Sequence, residues 1–111
     1  MPHRYRKVYK MQVLNGCGIG GVARRVTNFL RKNGYDVIET GNYTLLGTSD
    51  NESYYDMRET VVIDRTGIEN VAKDVGRIIG TSNVIKQYST EHMVDITVVI
   101  GKDYNNLLAY K

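Results

Sequence analysis

The chain is predicted to fold as a two-layer α/β sandwich with the element order β-α-β-β-α-β-β. Three observations predict this. The segment Val13-Leu14-Asn15-Gly16-Cys17-Gly18-Ile19 recurs 49 residues on as Val62-Ile63-Asp64-Arg65-Thr66-Gly67-Ile68 (13 to 62), and the match continues without a gap through Val22/Val71, Ala23/Ala72, Val26/Val75, Phe29/Ile78 and Leu30/Ile79. Each copy reads as a buried strand, a turn with Gly at the same place, and an amphipathic helix followed by a second strand. Each helix carries one apolar stripe, so two such helices cover one face of a single sheet.

The elements follow in order. Tyr9, Met11 and Val13 alternate with Lys10 and Gln12, the period of a half-buried strand that stops at Asn15-Gly16. The first helix is expected over about Ile19 to Asn33, with Ile19, Val22, Ala23, Val26, Phe29 and Leu30 facing inward and Gly34 ending it. A strand over Tyr35–Glu39 follows. From Thr40 to Glu59 the periodicity disappears. Gly41-Asn42, Gly47, Ser49-Asp50-Asn51 and Ser53 are turn chemistry, while Tyr43, Leu45, Leu46, Tyr54 and Tyr55 suggest a part that packs back or extends a hairpin. Thr60–Asp64 is a β-branched run and reads as an interior strand. The second helix is expected over Ile68 to Ile79, with Gly80 ending it. Asn83–Tyr88 and Asp95–Ile100 read as the fourth and fifth strands, and residues after Gly101 read as a tail.

This order is that of a ferredoxin-like split β-α-β arrangement made from duplicated units, with an extra C-terminal strand. In that arrangement the first and third strands lie side by side and parallel. The turns after them would then meet under two helix N-termini. Asn15, Gly16, Cys17, Gly18, Asp64 and Arg65 are therefore the candidate ligand-binding residues. Asn15 offers an amide and Arg65 a guanidinium fork suited to carboxylate or phosphate. The alternative is that these two side chains only stitch the turns together.

At 111 residues the chain is one domain, 1–111, with its core over about 8–104. Charged residues make up 24% and the mean hydropathy is −0.37, the profile of a globular chain in water. No apolar run has the roughly 18 residues needed to span a bilayer. Met1–Lys10 is polar and basic, without the apolar stretch of a signal peptide. A net charge of +3 is too weak to imply nucleic acid, and no specific nucleic-acid partner is expected. The lone Cys17 cannot form an intrachain disulfide. His3 and His92 stand apart from any second ligand at metal spacing, so neither metal nor cofactor is expected.

Two motifs compete with that reading. Gly16-Cys17-Gly18-Ile19-Gly20-Gly21 matches G-x-G-x-x-G between a strand and a helix, and Glu39 stands near the end of the next strand, where a ribose-binding acid belongs. Nucleotide or small-anion binding at Gly16–Gly21 is the alternative function. Against it, the chain is too short for a six-stranded doubly wound sheet. Arg24, Arg25, Arg31 and Lys32 would suit a polyanion, but they also suit the solvated face of an amphipathic helix. A regulatory or RNA-binding role in the cytoplasm is a third reading, weakened by the lack of exposed aromatics on the first and third strands. Cys17 near a helix start could be activated, yet no His or Asp partner stands by it, and a small turn residue is the simpler reading. Asp64-Arg65 could form a local ion pair. No arrangement of nucleophile and base stands out, and no enzyme activity is expected.

The opening V-L-N-G-C-G at Val13–Gly18, the helix Gly-Val-Ala-Arg-Arg-Val, Asn33–Val37, Thr60–Arg65 and the close Asp95–Asp103 together resemble the C-terminal domain of LytR-CpsA-Psr proteins, from about Met11 to Tyr104. The resemblance implies an extracytoplasmic role in the bacterial cell envelope. It implies a parent anchored in the membrane by an N-terminal segment, with a separate catalytic domain that transfers anionic glycopolymers to the wall. Older descriptions of that family speak of transcriptional regulators. The chain would then be a non-catalytic accessory module, with cell-wall glycopolymer, peptidoglycan, the family's catalytic domain or another envelope protein as its partner.

Overall fold

A computed structural model describes residues 6, 8–44, 53–89 and 93–111. The strands are β1 (Lys10–Asn15), β2 (Asp36–Asn42), β3 (Val61–Asp64), β4 (Val84–Lys86) and β5 (Ile96–Ile100); the helices are α1 (Val22–Lys32) and α2 (Glu69–Ile79). The predicted His3 and His92, and Leu45, Leu46, Gly47 and Ser49–Asn51 in the long loop, lie outside the described residues.

Both repeats form parallel β-α-β units: β1 pairs with β2, and β3 with β4. The expected adjacency of β1 and β3 is not what the chain adopts. The sheet order is β2-β1-β5-β3-β4, so the fifth strand is no edge addition but the centre of the sheet. β5 runs parallel to β1 and antiparallel to β3. The two units therefore face opposite ways across it, and the ferredoxin-like layout gives way to two units flanking a shared strand. The physical reason lies in β5 itself. All five of its residues are buried, and Ile96-Thr97-Val98-Val99-Ile100 holds one polar side chain. A strand apolar on both faces is cheapest to bury in the middle.

Both helices lie on one face, where Val22, Val26 and Leu30 of α1 and Val71, Val75 and Ile79 of α2 share one core with Met11, Val13, Val62, Ile96 and Val98. On the other face Tyr43 and Met57 pack over Val61, Ile63 and Val99. Part of the long loop thus does return: Thr44 and Ser53 form a bridge, and the Tyr54 N–H donates to the Tyr43 carbonyl. Gly34 closes α1 at φ +92, with the Tyr35 N–H reaching the Leu30 carbonyl and the Gly34 N–H the Arg31 carbonyl.

Two local expectations are corrected. Ile19 is 43% exposed and precedes α1, because Gly20-Gly21 delay the helix start. The expected tail packs instead: Leu107 is buried in the helix-side core, and Tyr104 and Tyr110 meet edge to face with centroids 5.2 Å apart.

Buried polar groups tie the start of the chain to this layer. Arg6 Nε donates to Asp74 Oδ2 at 3.0 Å, Arg6 Nη1 to the Asn33 carbonyl at 3.0 Å, and the Tyr35 hydroxyl to Asp74 Oδ2 at 2.5 Å. Burial pushes the Asp74 carboxyl up, but hydrogen bonds from Tyr35, Arg77 and Arg6 outweigh it and hold the pKa below the ordinary carboxylate value.

Candidate functional site

The six candidate residues do not come together. Because β1 and β3 run in opposite directions, their C-terminal ends lie at opposite edges of the sheet. Asn15 pairs with Ile100 and Asp64 with Ile96. That separation along β5 is roughly 13 Å at about 3.3 Å per residue.

The first turn is closed by the chain itself. Asn15 Oδ1 accepts from the N–H groups of Cys17 (3.0 Å) and Gly18 (2.9 Å), and Asn15 Nδ2 donates to the Ile19 carbonyl at 2.9 Å. Gly16 donates to the Ile100 carbonyl and accepts from the Met57 N–H. A Cβ on Gly16 would stand 2.8 Å from Met57 Cγ and Val99 Cγ1, and one on Gly18 would stand 3.1 Å from the Tyr55 ring. Cys17 is buried. Glu39 does not end its strand, since β2 runs on to Asn42, and its Oε1 accepts from Gln12 Nε2 at 2.8 Å. The dinucleotide fingerprint is thus occupied by side chains at Gly16 and Gly18. A cavity of about 460 Å³ beside Gly20, Gly21, Arg24 and Thr40 is the space left to that reading.

The second turn is built alike but stays open. Asp64 Oδ1 accepts from the N–H groups of Thr66 (3.2 Å), Gly67 (2.9 Å) and Ile68 (3.0 Å). Asp64 points to the helix side, and Arg65, the next residue, points away from it. The expected Asp64–Arg65 ion pair is therefore absent among the described residues.

Arg65 is only 8% exposed. Its Nε donates to Thr97 Oγ1 at 3.2 Å, and Nη1 to the Gln87 carbonyl at 3.2 Å and Oε1 at 3.3 Å. All three acceptors are neutral. Burial lowers its pKa from the ordinary arginine value. The hydrogen bonding continues across the sheet: Thr97 Oγ1 donates to Gln12 Oε1 at 3.0 Å, and Gln12 reaches Glu39. The track crosses four strands and ends at Glu39, which is exposed.

A cavity of about 1020 Å³ opens at Arg65, lined also by Lys10, Thr66, Tyr88, Met93 and Asp95. Asp95 is engaged structurally: Oδ2 accepts from the Lys10 N–H and Oδ1 from the Thr66 hydroxyl. Tyr88 is 61% exposed, and Met93, at φ 51, is 85% exposed. Sequence reasoning found Arg65 and missed the rest. Thr97 and Gln12 left a usable signal, as polar residues inside otherwise apolar strands. Tyr88 and Met93 left none.

The family model described as LytR cell envelope-related transcriptional attenuator matches residues 9–104. The chain belongs to this LytR family. The LytR match covers both β-α-β units and β5, and so includes every residue of the cleft at Arg65. The solution structure of the C-terminal domain of RV0431 is similar in fold, with a TM-score of 0.53 and 24% identity over 84% of this chain and 71% of that one. No curated protein matches. The LytR family places the chain among cell-envelope-associated domains, and no helix among the described residues is long and apolar enough to cross a membrane.

Proposed function

We propose that the chain is a non-catalytic binding module of an extracytoplasmic envelope protein, and that it holds an anionic wall polymer at the cleft over Arg65. The observation that carries this reading is the guanidinium itself. It is nine-tenths buried, bonded to neutral acceptors and lines an open cavity. A buried charge without a counter-ion costs several kcal/mol, so an arriving carboxylate or phosphate relieves a strain built into the domain. Lys10 adds a second positive charge at the rim, so the lining carries two cations against the one carboxylate of Asp95, which is held by the Lys10 N–H and the Thr66 hydroxyl. Carboxylates and phosphates are the groups that anionic wall glycopolymers and peptidoglycan present.

Co-sedimentation with purified cell walls tests it, alongside thermal melts. Arg65→Gln is expected to lower wall binding at least tenfold. Lys10→Glu, at an exposed position, is expected to fold normally and bind several-fold more weakly. Binding should also fall with added salt. If both variants sediment like the wild type, the guanidinium is a structural tie and the reading fails.

A further inference from the structure

The repeat supplies a control for Asp64. Its equivalent, Asn15, makes the same turn with Oδ1 and spends its other polar atom on a donation to the Ile19 carbonyl. Asn therefore suffices for this turn. Asp64 makes the turn with Oδ1 as well, but its Oδ2 is buried and has no donor among the described residues. The side chain is 1% exposed. Leaving a buried carboxylate oxygen unpaired is costly, and the amide that would avoid this is the one the other repeat uses.

Asp64 lines a cavity of about 440 Å³ between α2 and β4, on the helix side and apart from the Arg65 cleft. The rim is cationic. Lys86 is the cross-strand partner of Asp64, and Lys73 and Arg77 stand on α2, with Arg77 paired to Asp74 at 2.6 Å. Glu69 is the only other acid among the residues described as lining the cavity, and it is shared between Lys73 at 3.0 Å and Lys86 at 3.6 Å, all of them half-exposed. The inner end thus lacks a hydrogen-bond donor, while the outer end offers positive charge.

We infer that this cavity is a second binding site, for a small zwitterion of amino-acid size whose ammonium meets Asp64 Oδ2 and whose carboxylate meets Lys86 at the rim. A lone cation would face Lys73 and Lys86, which share the one carboxylate of Glu69, and a lone anion would face a buried carboxylate. A molecule with both charges a few ångströms apart satisfies each end, and the long Lys86–Glu69 pair is weak enough to give way.

Amide chemical shifts of the whole chain, titrated with glycine, acetate and ethylammonium to 50 mM, test the site. Glycine is expected to shift Thr66, Gly67, Ile68 and Lys86 saturably, and the two single-charge probes are not. Asp64→Asn should keep the turn, melt higher than the wild type, and bind glycine at least tenfold more weakly. Lys86→Ala, at an exposed position, gives a second variant and should weaken glycine at least fivefold. Absence of saturable glycine shifts in the wild type overturns the inference, as does equal glycine binding by both variants. Saturation by acetate or ethylammonium alone overturns the zwitterion class. Wall binding through Arg65 is read in a separate assay, so each proposal stands or falls alone.

Discussion

The two β-α-β units share a backbone plan and differ in what closes them. After β1 the turn lies under Tyr55 and Met57; after β3 it borders open cavities on both faces of the sheet. Asn15 satisfies all its polar atoms locally, while Asp64 leaves one oxygen over. The helices differ in the same way at one equivalent position, 25 and 74. Arg25 holds the C-terminal end, donating to the Ala109 carbonyl at 2.8 Å with its guanidinium 4.2 Å from the Tyr110 centroid. Asp74 holds the N-terminal segment through Arg6. The units share their packing and differ at single positions, so that the first turn is closed by the chain and the second borders open space.

The largest effect is expected where the units do not differ. Val26 and Val75 are equivalent and fully buried in one shared core. A carboxylate there loses a side chain worth about 1.5–3 kcal/mol and strands a charge. Val26→Asp and Val75→Asp should each unfold the domain, or lower its single melting transition by well over 10 °C. A melt that splits into two steps, or one variant within a degree of wild type, would show that each unit folds on its own core.

This shared core was legible in the sequence because helix stripes and strand alternation are local periodicities, and the 49-residue repeat doubled the signal. Strand order was not, since it depends on pairings between residues far apart. The one clue was composition: Ile96–Ile100 is more uniformly apolar than an edge strand needs to be. For the site, Asp64 and Arg65 stood out as residues at a strand end. Whether their turn meets the other one depends on which way β3 runs, and that follows from β5. The closure of the first turn was hidden too, because Tyr55 and Met57 come from the segment that has no readable period.

The terminal clamps sharpen the comparison next. Asp74→Ala removes the carboxylate to which the buried Arg6 guanidinium and the Tyr35 hydroxyl both donate, an effect of about 3 kcal/mol. Arg25→Ala removes an exposed cation–ring contact and one hydrogen bond, about 0.5–1 kcal/mol. Urea unfolding of both variants should rank them in that order. Equal losses would mean that the two ends are held alike.

The Asp74 clamp also sets a pH dependence. Its folded pKa is depressed, so its contribution is complete above the unfolded carboxyl value of about 3.9 and is lost as pH falls through the lower folded value. The stability gap between wild type and Asp74→Asn should be constant from pH 7 to 5 and shrink below about pH 4. A gap unchanged down to pH 2 would mean that the carboxylate form is not what the clamp uses.

The smallest expected effect is none at all, and it bears on the first unit. A pyrophosphate needs bare backbone at the first glycines of a G-x-G-x-x-G turn. Here Met57 and Val99 crowd Gly16, the Tyr55 ring lies against Gly18, and Glu39 is bonded to Gln12. Only Gly20 and Gly21 face open space, next to Arg24. Calorimetric titration with NAD, NADP or ATP at millimolar concentration should therefore give no saturable heat. Gly20→Ala makes the test specific, because a methyl group there meets nothing within 4 Å and should not disturb the fold. A saturable isotherm that Gly20→Ala abolishes would place a nucleotide at the α1 N-terminus, and the unit with the closed turn would become the binding half.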